Sequence, residues 1–193
     1  MYRRIISVFI TIGAICCILS DVIAQDTQYS QFYAAPLYLN PALTGASELT
    51  RVGVNYRNQW PGLDYSFNSY SAYIDHYIFD YNSGVGLIFN GSQESLANLS
   101  TNEIGLSYAY RLQLSENNFF RIGGMVSFMQ RDALFSDLVF GSQIDIINGT
   151  IGGITDELNG IPIDSRYSFF DYSVGGMFYS KKIWLGVSAH HLS

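Results

Sequence analysis

The sequence predicts an all-β protein, a transmembrane antiparallel up-and-down β-barrel, and three observations lead to this fold class. Apolar and polar residues alternate along successive stretches, several of them close to the roughly ten residues of a membrane-spanning strand. Aromatic residues gather at the ends of these stretches, and short connections alternate with long ones. Strict alternation indicates a strand with two unlike faces. Aromatic girdles and unequal loops are typical of outer-membrane barrels.

Residues 1–24 read as a secretory signal peptide. Arg3 and Arg4 form a basic start, residues 5–19 are apolar, and Val22-Ile23-Ala24 is a small-residue cleavage site. The apolar run is shorter than the roughly 20 residues that a membrane-spanning helix needs. We therefore expect export and a mature chain that begins at Gln25.

Both cysteines, Cys16 and Cys17, lie inside the predicted signal peptide. Acylation of one of them, as in a lipoprotein, is the alternative, but the residues just before them are not the small ones expected there. Removal of the signal leaves no cysteine, which excludes disulfides, thiol catalysis and cysteine-bound zinc in the mature chain.

Residues 25–48 form an apolar N-terminal segment that two prolines, Pro36 and Pro41, keep from forming a long regular element. A segment with so many apolar residues is expected to pack against another part of the protein or against a partner. One interpretation is a lead-in to the first strand, packed in the barrel wall. The other is a plug-like periplasmic segment that fills the lumen or lies across its mouth, where it contacts partner subunits.

Residues 49–193 are predicted to form the barrel. In residues 104–113, Ile104, Leu106 and Tyr108 alternate with glycine, serine and alanine, and the opposite face of the other strands also carries glycine, serine, arginine and aspartate. Such a face suits a polar lumen. The predicted strands are residues 51–57, 68–78, 83–90, 104–113, 119–130, 168–180 and 183–189.

The connections predict which loops face outward. Short turns at residues 80–83, 115–118 and 180–182 alternate with long connections at 58–67, 91–101 and 131–167. Loops longer than about 15 residues are usually functional or disordered, so we expect residues 131–167 to form an external loop that covers the barrel or grips a partner. The alternative is a surface excursion with no partner. An odd strand count predicts that the chain is the N-terminal part of a larger barrel.

Composition excludes several classes of function. Charged residues make up 13% of the chain, against about a quarter in ordinary domains. The net charge is −6, which argues against nucleic-acid binding because phosphates require a basic surface. The apolar content argues against disorder.

Catalytic patterns are sparse. Asp75 and His76 are adjacent, so they face opposite sides of a strand. Ser188 and His190 share a face, and Asp171 or Asp75 could orient the histidine, which leaves a hydrolase as the third hypothesis. No phosphate-binding glycine motif opens a helix. We expect no catalytic, cofactor-binding or metal-binding residues.

Three stretches carry a family pattern. In residues 25–45 a Gln-Asp pair precedes an aromatic-Ser-Gln-aromatic stretch, Asn-Pro-Ala and a glycine. The matching residues are Gln25, Asp26, Tyr29, Ser30, Gln31, Phe32, Asn40, Pro41, Ala42 and Gly45. Residues 138–145 carry Leu-x-Phe-Gly-Ser-Gln, and residues 187–192 end a strand in Ser-x-x-His-Leu. Together they resemble the PorP/SprF family of type IX secretion system outer-membrane proteins, although Ser142 stands where the family usually has aspartate.

The resemblance implies a barrel of about fourteen strands in the outer membrane of a Gram-negative bacterium. It implies a component without enzymatic activity that helps secrete or attach cell-surface proteins such as gliding adhesins. The implied partners are outer-membrane lipid, type IX secretion machinery subunits and secreted proteins with C-terminal sorting domains. The alternative function is a porin or transporter for small or apolar solutes.

The candidate site residues fall into two groups. The N-terminal residues expected to contact a partner are Tyr29, Ser30, Gln31, Phe32, Asn40 and Pro41. The residues expected to shape the long loop are Phe140, Gly141, Gln143 and Asp145.

Overall fold

The computed structural model describes Tyr29 and residues 31–62, 66–95, 98–134, 144–145, 150–151 and 164–193. The predicted signal peptide and most of the predicted long loop lie outside these residues. Nine strands are present in the described part of the chain. They are β1 Arg51–Gln59, β2 Phe67–Ile78, β3 Ser83–Glu94, β4 Leu99–Ser115, β5 Asn118–Leu134, β6 Ile144–Asp145, β7 Thr150–Ile151, β8 Asp164–Ser180 and β9 Trp184–Ala189.

Seven of these strands form one antiparallel sheet in the order β1-β2-β3-β4-β5-β8-β9, curled into a half-barrel. Every strand pairs with its neighbour in sequence apart from the step over β6 and β7, which pair only with each other. This up-and-down order confirms the predicted fold class, and the seven predicted strands all appear.

Several strands are longer than their alternation predicted. The β5–β8 ladder continues to the Leu134–Asp164 pair, and Asp132 forms an ion pair with its cross-strand partner Arg166. At this end of the ladder the backbones still pair, but the side chains form no apolar face. Hydrophobic alternation therefore underestimates the length of the two strands. The connection between β5 and β8 is therefore shorter than residues 131–167, and it contains the small β6–β7 ribbon, which the sequence did not predict.

The two faces of the sheet are inverted relative to a soluble protein. Apolar side chains on one face are exposed, such as Leu106 at 69%, whereas polar ones on the other are buried, such as Asp171 at 1%. Alternation of this kind runs along β4 from Glu103 to Tyr110. A continuous exposed apolar face of this size fits a wall that meets lipid, with the polar face turned inward. We call the face with buried side chains the inner face.

The N-terminal segment packs on this inner face. It contains a 3-10 turn at Phe32–Ala34, the one-turn helix α1 at Pro36–Leu39 and a second 3-10 turn at Pro41–Leu43. Proline opens each of the last two, where its fixed φ suits the first helical position. Among the described residues, no helix combines the length and the apolar character needed to cross a membrane.

The small hydrophobic core lies between this segment and the wall. Leu37 of α1 packs against Tyr73 of β2, Ile88 of β3 and Met125 of β5, and Tyr38 packs at its margin. Leu37 and Ile88 are completely buried. The segment therefore contributes Leu37 to a core whose other buried members come from three strands.

Candidate functional site

Residues 40–45, which we call the anchor loop, hold the N-terminal segment to the inner face. The side chain of Asn40 makes three hydrogen bonds at once. Its side-chain Oδ1 accepts from the backbone N–H of Ala42 at 2.8 Å, which caps the second 3-10 turn. Its Nδ2 donates to the carbonyl oxygens of Gly176 at 3.3 Å and Val187 at 3.1 Å. A single amide thus joins the loop to β8 and β9.

The end of the anchor loop is fixed by a buried carboxylate. Asp75 on β2 accepts the backbone N–H of Gly45 at 2.6 Å. The same carboxylate receives both Nε and Nη2 of Arg51 at 2.9 Å each, and Arg51 also donates to the carbonyl of Leu43. Paired donors of this kind give a charge-assisted contact with defined geometry. Gly45 has φ +68°, a left-handed conformation that glycine adopts without strain.

A buried arginine holds the middle of the loop. Arg121 on β5 is 1% exposed. Its Nε donates to the carbonyl of Ala42 at 2.9 Å, and its Nη2 donates to the carbonyl of Thr44. Thr44 in turn shares a hydrogen bond with Ser107 on β4. Arg121 therefore satisfies carbonyl groups that a short turn leaves without backbone partners.

Glycines on three strands make room for the anchor loop. A Cβ placed on Gly84 of β3 would lie within 3.0 Å of the carbonyl of Thr44, and one on Gly123 of β5 would meet the peptide between residues 41 and 42 equally closely. A Cβ on Gly175 of β8 would overlap the side-chain oxygen of Asn40. The loop backbone lies directly on the wall because these three positions lack side chains.

A cavity of about 460 Å³ lies beside the segment, between it and the wall. It falls within the roughly 300–1,000 Å³ of ligand pockets. A smaller cavity of about 60 Å³ shares Glu103 with it and is also bordered by Arg131. The larger cavity combines aromatic rings, carboxylates and imidazoles from Tyr29, Tyr38, Glu103, Asp171, His190 and His191.

The charged groups of the cavity are mostly buried. Glu103 accepts a hydrogen bond from Asn90 at 2.8 Å, and Asp171 lies 2.9 Å from Nδ1 of His191. Burial raises the pKa of Tyr29 to about 12, and the charge of Glu103 contributes in the same direction. The Tyr29 hydroxyl is therefore a neutral hydrogen-bonding group at physiological pH.

The groups of the hydrolase hypothesis do not form a triad. Ser188 donates to the carbonyl of Leu39 at 3.0 Å, and His190 contacts that same carbonyl and the hydroxyl of Ser173. Asp171 pairs with His191 instead. These bonds tie β8, β9 and α1 together, and no nucleophile–base–carboxylate relay runs through them. The described ranges also contain no group of three or more potential metal ligands.

The predicted partner-contact residues divide between the interior and the surface. Asn40 and Pro41 are buried against the chain's own strands, and Tyr29 is 9% exposed. Phe32 is 61% exposed, and Gln31 is also exposed. Ser30 lies outside the described residues. Contact of these residues with a partner stays a prediction.

Of the predicted loop motif, Asp145 is described as part of β6, where it pairs with Thr150. Phe140, Gly141 and Gln143 lie outside the described residues. The architectural role of this motif therefore stays a prediction too.

Sequence reasoning missed the inner-face residues that hold the anchor loop. The sequence places Arg121 on a polar face and offers Asp75 only as a polar-face residue or as an orienting carboxylate, and it identifies Gly123 and Gly175 only as small residues. The available signal was a charged residue on the luminal face, Arg121 with Gly123 beside it on that face, because a buried charge requires partners. The partners themselves could not be predicted, because they are distant in sequence. Arg121 and Ala42, for example, are 79 positions apart.

Comparison with known proteins agrees with the fold. The family model described as type IX secretion system membrane protein PorP/SprF matches residues 22–193. No curated protein matches the chain.

Proposed function

Because this chain belongs to the PorP/SprF family and is an outer-membrane component of the type IX secretion system, we propose that it binds secreted cargo or machinery subunits without catalysis. In this proposal it helps secrete or attach cell-surface proteins such as gliding adhesins, and the cargo carries a C-terminal sorting domain. A signal peptide at residues 1–24 directs its export, and lipid surrounds the apolar face of the wall.

One observation supports a binding component over a porin. The inner face, which would line a water-filled channel in a pore, is occupied by the N-terminal segment. Leu37, Ala42 and Thr44 are completely buried there. The hydrogen bonds of Asn40, Arg121 and Asp75 fix the segment to four strands. The segment is thus folded against the inner face of the wall, and its exposed residues offer a structured surface for partners.

The surface of the segment offers a contact site. Phe32 and Tyr33 are 61% and 66% exposed, and their rings meet edge to face with centroids 5.7 Å apart. Exposed aromatic pairs are enriched at protein interfaces because they bury a large area at little conformational cost. We propose that these two rings, with Gln31, provide the contact that the N-terminal signature predicted.

An affinity purification tests this function. The tagged protein is isolated from gently solubilised envelopes, and its partners are identified by mass spectrometry. We expect machinery subunits or a large adhesin with the native chain. Phe32→Ala together with Tyr33→Ala should reduce that recovery at least roughly tenfold, since interface aromatic residues each contribute on the order of 1–2 kcal/mol or more.

The matched control is Tyr81→Ala, another aromatic residue that is 71% exposed but belongs to the β2–β3 turn. It should leave recovery unchanged. A folded native barrel that recovers no partner and conducts ions in a planar bilayer would contradict the proposal and favour the porin.

A further inference from the structure

The larger cavity carries two buried carboxylates, and the one basic side chain that the described contacts place against either of them is the imidazole of His191, 2.9 Å from Asp171. Glu103 is 7% exposed and Asp171 is 1% exposed. Among the described residues that line this cavity there is no lysine or arginine. The amide of Asn90 donates to Glu103, and His191 and the Ser193 hydroxyl contact Asp171. Carboxylates away from water are stabilised by a cation that completes their hydrogen bonds.

The rest of the lining favours the same kind of ligand. Tyr29 and Tyr38 lie edge to face, with ring centroids 5.7 Å apart and planes at 87°. Both border the cavity together with Glu103. The faces of aromatic rings attract cations, and the attraction is larger where water is excluded. Rings beside carboxylates therefore form a binding environment for a cation that also carries apolar groups.

We propose that this cavity is a binding site for an organic cation, a guanidinium or alkylammonium group, held by Glu103 and Asp171 and flanked by Tyr29 and Tyr38. The cation is carried either by a side chain of a protein partner or by a small diffusible molecule. The volume of about 460 Å³ admits such a group with its aliphatic stem. Phe32 of the exposed aromatic pair also borders this cavity, so the two sites adjoin, and the tests below address the carboxylates, which the contact proposed for that pair does not involve.

The test compares two probes of nearly the same shape. Nα-acetyl-arginine amide and Nα-acetyl-citrulline amide differ in the charge of the terminal group. Their binding to the full chain, folded in a non-ionic detergent, is followed by saturation-transfer NMR. We expect the arginine probe to bind at least roughly tenfold more tightly, as a charge-assisted hydrogen bond requires. Equal binding of the two probes, or no binding of the arginine probe, overturns the proposal.

A variant then locates the site. Glu103→Gln keeps an acceptor for Asn90 but removes the charge, so it should weaken arginine-probe binding roughly tenfold. Asp80→Asn removes an exposed carboxylate at the β2–β3 turn and should have no effect. Unchanged binding by Glu103→Gln overturns the assignment to this cavity. The electrophoretic shift of the folded barrel confirms that both variants fold.

The source of the cation follows from partner recovery. If Glu103→Gln also loses the partners that the native chain recovers, the cation belongs to a partner side chain. If it retains them, the cation is a small molecule. A native chain that binds the probe but recovers no partner would contradict the proposed function and leave this site standing.

Discussion

Asn40 shows how much of this structure depends on single side chains. Its amide is 6% exposed and joins the anchor loop to the paired strands β8 and β9. Each of its three hydrogen bonds satisfies a backbone group of the loop or the wall. Loss of a buried partner costs the desolvation of the group left behind, and not only the bond itself.

Asn40→Ala should therefore lower the free energy of unfolding by about 1–3 kcal/mol. Urea unfolding in detergent micelles, followed by tryptophan fluorescence, measures the change. Asn117→Ala, at an exposed position of the β4–β5 turn, is the control and should change the value by less than about 0.5 kcal/mol. Equal effects of the two substitutions would mean that the Asn40 contacts contribute nothing measurable.

Asn40 also shows what the sequence can and cannot predict about this site. The pattern Asn-Pro-Ala predicts a turn, because proline fixes φ and asparagine accepts a nearby backbone N–H. The structure has that turn. The other two side-chain hydrogen bonds of Asn40 go to Gly176 and Val187, which lie 136 and 147 positions further along the chain. No local pattern encodes a partner at that distance.

The strands show where sequence reasoning succeeds. Alternation along β4 predicted which side chains face outward, and their exposure agrees, from Tyr110 at 41% to Leu106 at 69%. A two-residue period suffices here because the two sides of the wall meet different surroundings. Alternation places Gly123 on the inner face and Gly124 on the outer face, but it does not say which inner-face glycines receive a neighbouring backbone.

These two glycines provide a matched test of the anchor loop. Gly123→Ala places a methyl group within 3.0 Å of the backbone at residues 41 and 42, whereas the nearest atom to a Cβ on Gly124 is 3.8 Å away. Gly123→Ala should destabilise the protein by about 1–3 kcal/mol, as overpacking does, or displace the loop. Gly124→Ala should be close to neutral.

Limited proteolysis of the N-terminal segment, with urea unfolding alongside, distinguishes displacement from simple loss of stability. A displaced loop is cut faster in Gly123→Ala under native conditions, and Gly124→Ala keeps the native cutting pattern. The contact between loop and wall would be refuted if the two adjacent variants behaved alike in both measurements.

The outer and inner faces of the whole molecule suit different surroundings. Its outer face carries exposed leucine, valine and aromatic side chains, and its inner face carries buried arginine, aspartate and serine. In water such an outer face would promote aggregation. In a bilayer it is the stabilising face, and charge placed on it is costly in proportion to depth.

Leu106→Arg tests this arrangement, because Leu106 lies near the middle of β4 and is 69% exposed. Folding into phospholipid vesicles should be disfavoured by about 2–4 kcal/mol, and Leu114→Arg, next to the β4–β5 turn, by about 0–1 kcal/mol. Equilibrium refolding titrations in vesicles measure both. Equal costs at the two depths would show that this face does not meet the hydrocarbon core.

The position of the anchor loop in the sequence affects the order in which contacts form during folding. Its residues precede every strand of the sheet in the chain, yet Asn40 bonds a carbonyl on β9, 147 positions later. Contacts between parts so distant in sequence form slowly, since the chain between them must first be ordered. The loop can bond to β2, β5 and β8 before β9 joins the sheet, so we expect its last attachment, to Val187, to form after the others.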